Sequence, residues 1–162
     1  MGSKVTAIPE GFHTLTPYLV VRDAARAVEF YRQAFGAEVR RIHYGPDGKR
    51  LTHADLKIGD SMLMLSDEFP NWGALSPLAL GGTSTTIHMY VEDADAAFER
   101  AIAAGATVKM PLADMYWGDR YGSVVDPFGH QWSFATRIKH LSEEEIKQAG
   151  DAVFAKLAAG RE

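Results

Sequence analysis

Apolar and polar residues alternate over Pro17–Arg22 and again over Ile87–Val91, the period-two pattern of a strand with one buried face. Each run is followed by an aspartate, Asp23 or Asp93, placed to cap a helix. Apolar residues then recur at helical spacing over Ala24–Phe35 and Ala94–Ala104, and a glycine, Gly36 or Gly105, stops each stretch. Three shorter strands follow in each half. The first set is predicted at Glu38–Tyr44, Leu51–Ile58 and Ser61–Ser66, with a hairpin turn in "GPDGK". The second is predicted near Thr107–Met110, Gly122–Val125 and Gln131–Thr136. The stretch "PLADMYWGDRYG" (Pro111–Gly122) reads as an irregular loop between them.

The two halves are one unit written twice. Val21 aligns with Val91 (91 − 21 = 70), and the same offset places Gly59 under Gly129 (129 − 59 = 70). A single register thus accounts for both ends of each half. The expected class is α+β, with two tandem βαβββ modules curling into a cup-shaped mixed sheet. Residues 1–13 read as a polar leader and residues 14–140 as a single domain. Its modules are residues 14–67 and 85–140, joined by a crossover loop over 68–84 that is too rich in proline and glycine for a strand. Residues 141–162 form an amphipathic helix that opens on a Ser142/Glu145 capping box and is expected to pack outside the sheet.

Composition narrows the chemistry. With 17 Lys+Arg against 21 Asp+Glu the net charge is −4, which argues against a nucleic-acid or anionic-membrane surface. The absence of cysteine excludes disulfides, thiolate catalysis and cysteine-ligated zinc or iron–sulfur centres. No run approaches the roughly 18 apolar residues of a membrane span, and the N-terminus has no signal core, so a cytoplasmic protein is expected. No serine has a nucleophile-elbow context, and the glycines form no phosphate-binding fingerprint.

The stretches "TPYLVVRDAARAVEFYRQAFGAE", "HADLKIGDSMLMLSD", "HMYVEDADAAFERAIAAGATV" and "DMYWGDRYGSVVDPFGHQWSFAT" resemble the vicinal oxygen chelate superfamily. Within it they look most like the PhnB-like or glyoxalase/bleomycin-resistance-like branch. The resemblance implies a cup in which the superfamily's enzymes hold a divalent metal through His or Glu. These ligands come from the first and last strands of each half. The matching positions here are Thr16, Thr86, Leu63 and Ser133, with Met62 or Met64 in place of Leu63 if the register slips by one. None is a good ligand for such a metal, so neither metal nor cofactor is expected at the usual site.

Residues two apart on a strand share a face. Tyr18 joins Thr16 in the cup, and His88 and Tyr90 join Thr86. His53 is a further inward candidate, and Trp132 is expected to face outward. Tyr116 and Trp117 on the irregular loop, with Trp72 on the crossover, are placed to stack on a flat ligand at the rim. Asp114 and Asp119 would suit a basic one. Asp119 is also a candidate for shaping the loop, and Arg120 either does the same or meets an anionic ligand.

These features lead to an expectation of metal-independent binding of a small aromatic or basic molecule, of the bleomycin-resistance, antibiotic-sequestering type. The expected ligand-binding residues are Thr16, Tyr18, His53, Trp72, Thr86, His88, Tyr90, Tyr116, Trp117, Arg120 and Ser133. The alternative is a glyoxalase-like lyase, isomerase or dioxygenase, using relocated ligands or metal-free acid–base chemistry at His88. The family's habit of completing each cup with a second chain implies a homodimer, with the C-terminal helix as a contact.

Overall fold

The computed structural model describes residues 5–160. The first half contains β1 (Tyr18–Val21), α1 (Ala24–Phe35), β2 (Glu38–Tyr44), β3 (Leu51–Ile58) and β4 (Ser61–Asp67). A 3-10 turn at Pro70–Trp72 and a short α2 (Pro77–Leu80) occupy the crossover. The second half repeats the order with β5 (Thr86–Tyr90), α3 (Ala94–Ala104), β6 (Thr107–Asp114), β7 (Asp119–Val125) and β8 (Gln131–Arg137), followed by α4 (Glu143–Ala159).

The strands form two four-stranded sheets ordered β1-β4-β3-β2 and β5-β8-β7-β6. In each the first strand pairs in parallel with the last, and the other pairings are antiparallel. The local signals act as the sequence predicts. Asp23 and Asp93 accept from the backbone N–H groups of Arg26 and Ala96 at the helix starts, and Gly36 takes the left-handed conformation that ends α1. The α+β architecture of tandem βαβββ units is therefore present.

Helices α1 and α3 pack between the sheets. Phe30, Tyr31, Phe35, Phe98, Trp132 and Phe134 fill the shared core with aliphatic residues of β3 and β4. Phe35 lies 4.4 Å from Trp132 between ring centroids. A buried carboxylate joins the halves: Asp126 Oδ2 accepts from Tyr31 Oη (2.8 Å) and Trp132 Nε1 (2.9 Å), while Oδ1 accepts from the backbone of Phe128 and His130. His130 also reaches the Val20 carbonyl in the first half through its ring. Burial, then the neighbouring Asp126 charge and hydrogen bond, push the Tyr31 phenol well above its ordinary pKa.

Three readings of the sequence need correction. The stretch Pro111–Gly122 is not a loop: β6 continues to Asp114 and β7 starts at Asp119, leaving only residues 115–118 as the turn. Pro111 is tolerated because β6 is an edge strand whose register shifts between Met110 and Ala113. The crossover carries short helical turns in place of plain loop. Helix α4 has its capping box, but Gly150 is its only buried residue and sits against Tyr116 of the β6–β7 hairpin. Val153, Phe154 and Leu157 remain exposed, so the helix does not cover a sheet.

Candidate functional site

Each sheet has one face on the helices and one turned away from them. In the first half Leu19, Leu63 and Leu65 point to the core, leaving Tyr18, Val20, Met64 and Ser66 on the open face. Leu63 is therefore not the cup position. Tyr18 pairs with Met64 and His88 with Ser133, so the offset is 70 on the first strands (88 − 18) but 69 on the last (133 − 64). The cause is the β7–β8 connection, which is one residue longer. Leu56 and Leu63 face each other across the first hairpin (63 − 56 = 7), and Val124 and Trp132 across the second (132 − 124 = 8).

The open face of the second half concentrates the sequence candidates. His88 Nδ1 lies 2.7 Å from the hydroxyl of buried Ser133, which fixes the ring and leaves Nε2 as the atom available to a ligand. Tyr121 stacks beside His88 at 5.9 Å and Tyr90 meets it edge-on at 4.8 Å. Asp119, only 3% exposed, accepts on Oδ2 from Trp117 Nε1 (3.2 Å) and Tyr90 Oη (3.4 Å). Its Oδ1 has no hydrogen-bond partner among the described residues, with Arg137 Nε 3.7 Å away. Trp117 also stands edge-on to Tyr121 at 5.7 Å and to Tyr116 at 5.0 Å. The result is a wall of rings around an anchored imidazole, with a buried carboxylate behind it.

The other candidates lie elsewhere. Tyr18 and His53 meet on the open face of the first half. Thr16 precedes β1, and Thr86 donates from its hydroxyl to Gln131 at the end of β5. Trp72 is highly exposed and stacks on Phe69 beside Arg50, in a separate hollow of about 340 Å³. Arg120 faces the helix side, donating to both oxygens of Asp95 on α3 (2.6 and 2.7 Å) and to Asp114 (3.1 Å). Those hydrogen bonds raise its pKa, and Arg120 in turn lowers that of Asp95. Of the two roles open to each in the sequence, Asp119 faces the open side and Arg120 shapes the scaffold. Asp55 and Tyr121 were not singled out from the sequence. Asp55 stands two residues from His53 on one strand, so parity alone points to it. Tyr121 was hidden by reading its strand as a loop.

A cleft of about 680 Å³ runs along the unpaired edge of β5, lined by His88, Tyr90, Pro17, Met62 and Trp132, among others. Its size falls in the range of small-molecule sites. The positions where the family's enzymes would place metal ligands do not fit one. Thr16, Thr86, Met64 and Ser133 present hydroxyls and a thioether, and Ser133 is engaged by His88. No group of three or more His, Asp or Glu suited to a metal occurs among the described residues, and no described helix is long and apolar enough to cross a membrane.

Two tandem βαβββ units define a fold class that known proteins share. Residues 11–134 match the Glyoxalase/Bleomycin resistance protein/Dioxygenase superfamily, and the chain belongs to that family. An uncharacterised protein of Mycobacterium tuberculosis is 50% identical over 139 residues, covering 83% of this chain and 81% of that one. Among solved structures, TioX from Micromonospora sp. ML1 is 30% identical with a TM-score of 0.61, covering 78% of this chain and 99% of that one. An Arabidopsis thaliana gene product is 28% identical with a TM-score of 0.62, over 76% and 98%.

Proposed function

We propose that the protein binds a small, flat, cationic aromatic molecule without a metal, sequestering it on the open face of the second half. The observation that carries this reading is the assembly of His88, Tyr90, Trp117 and Tyr121 around buried Asp119. Rings offer stacking and cation–π attraction, and a desolvated carboxylate adds a negative field that favours a cation. Three hydroxyls (Thr16, Thr86 and Ser133) and one thioether (Met64) at the metal positions support metal independence. Antibiotic resistance of the bleomycin type is the biological setting this chemistry suits, and the acidic, cysteine-free composition suits a cytoplasmic one.

A homodimer completes the reading. Among the described residues the edge of β5 is unpaired, and Val108 and Met110 stand exposed on the second sheet. Such surfaces favour association. Sedimentation is expected to give a dimer at micromolar concentration, and a monomer there would remove this part. For the site, 9-aminoacridine serves as a probe in isothermal titration. Micromolar binding is expected, unchanged by EDTA and weakened in His88→Ala and Trp117→Ala variants that still fold. Binding abolished by EDTA, or untouched by both substitutions, would overturn the proposal.

A further inference from the structure

The open face of the first half carries a hydrogen-bonded chain that ligand binding on the second half does not use. Asp55 is 3% exposed and lies 2.7 Å through Oδ1 from His53 Nε2. A carboxylate only accepts, so Nε2 carries a proton, and in the neutral tautomer that this requires Nδ1 is the acceptor. The Tyr18 hydroxyl stands 3.4 Å from that Nδ1, on a side chain half exposed to solvent. Arg41 Nε approaches Asp55 Oδ2 at 3.4 Å. Lys57 shares the Asp55 face two residues along, and both cations border the same polar hollow. An exposed hydroxyl, an imidazole and a buried carboxylate in series make the order of nucleophile, base and orienting group.

We propose that Tyr18 is an activated nucleophile that captures acyl electrophiles, with His53 as its base and Asp55 as the positioning residue. The Tyr18 oxygen bonds to the acyl carbon and its proton passes to His53 Nδ1. The bond from that carbon to the leaving group breaks with its electron pair, and the leaving group takes a proton from the imidazolium or from solvent. The product is an O-acyl tyrosine. The hollow beside this face carries Arg40, Arg41 and Lys57 against Glu10 and Asp55, an excess of positive charge that selects an activated acyl compound carrying, or releasing, an anionic group. The second half lacks the equivalent chain: His88 is anchored by a neutral serine hydroxyl and Tyr121 stacks on it without a hydrogen bond between them.

The test uses N-acetylimidazole on the full chain, with the acetylation rate of each tyrosine followed by peptide mass spectrometry. Tyr18 and Tyr44 are equally exposed at 50%, and Tyr90 more so at 63%, so exposure alone predicts that Tyr18 is no faster than the others. An activated Tyr18 is expected to react at least about tenfold faster than both. His53→Gln should bring it down to the Tyr44 rate, and Asp55→Asn should remove most of the advantage. Unchanged rates at Tyr44 and Tyr90 would show that each variant keeps its fold. Tyr18 reacting no faster than Tyr44 in the unsubstituted protein would overturn the proposal, whatever the variants do. So would an undiminished Tyr18 rate in folded His53→Gln.

Discussion

The two halves share a backbone but divide their chemistry differently. Tyr18 and His88 occupy equivalent places on the first strands (88 − 18 = 70), and His53 and Tyr121 on the third (121 − 53 = 68). The same pair of rings therefore stands in both halves with identities exchanged, at 5.8 Å in one and 5.9 Å in the other. What differs is the carboxylate. In the first half it is Asp55, next to the imidazole, whereas the matching place in the second is Ser123 (123 − 55 = 68). In the second half it is Asp119, at the far end of the strand under Tyr90 and Trp117. One buried acid polarises a histidine and the other backs an aromatic wall. Equivalent positions recur in both halves, and what differs is where the buried acid stands.

The largest expected effect comes from removing what joins the halves. Asp126→Ala strands two buried side-chain donors and two turn N–H groups, and should lower unfolding free energy by about 3–5 kcal/mol in urea titration. A loss under about 1 kcal/mol would mean the halves are held by apolar packing alone. Next come the binding residues. His88→Ala and Trp117→Ala should each weaken 9-aminoacridine by roughly five- to thirtyfold, as expected for about 1–2 kcal/mol of ring contact. His53→Ala should change it less than about threefold. Equal effects from both halves would erase the division of labour.

The pH dependence of stability gives a finer probe of the joint. The folded state holds the Tyr31 proton more tightly than the unfolded chain, in which tyrosine titrates near 10. Its contribution is therefore complete below about pH 10 and is lost as pH rises beyond that toward the folded-state value. Tyr31→Phe should flatten the fall in melting temperature between about pH 9.5 and 11. Smallest of all, Arg120→Ala should leave 9-aminoacridine affinity within about twofold, because its partners Asp95 and Asp114 lie off the binding face. A larger loss would return Arg120 to the site.

Much of the fold was legible because its punctuation is local. Helices Ala24–Phe35 and Ala94–Ala104 have the bounds that their aspartate caps and terminal glycines mark. The misread hairpin had the opposite character. Pro111 and a register shift broke the alternation of β6, and only its place at the sheet edge makes that harmless. That error concealed Tyr121 and left the role of Asp119 open, since both depend on which way a strand turns them. Arg120 was undecidable for the same reason, since one step along a strand separates the open face from the helix face. The single-residue difference between the β3–β4 and β7–β8 turns likewise moved the cup position from Leu63 to Met64, something no composition or period could show.

The most direct test of the central claim is an NMR titration of the metal-free, isotope-labelled protein with 9-aminoacridine in the presence of EDTA. Saturable shifts are expected in the His88 and Tyr121 rings, the Trp117 indole N–H and the Tyr90 ring, with Trp72 and Trp132 little changed. Shifts centred on Trp72, or none until a divalent metal is restored, would contradict the account.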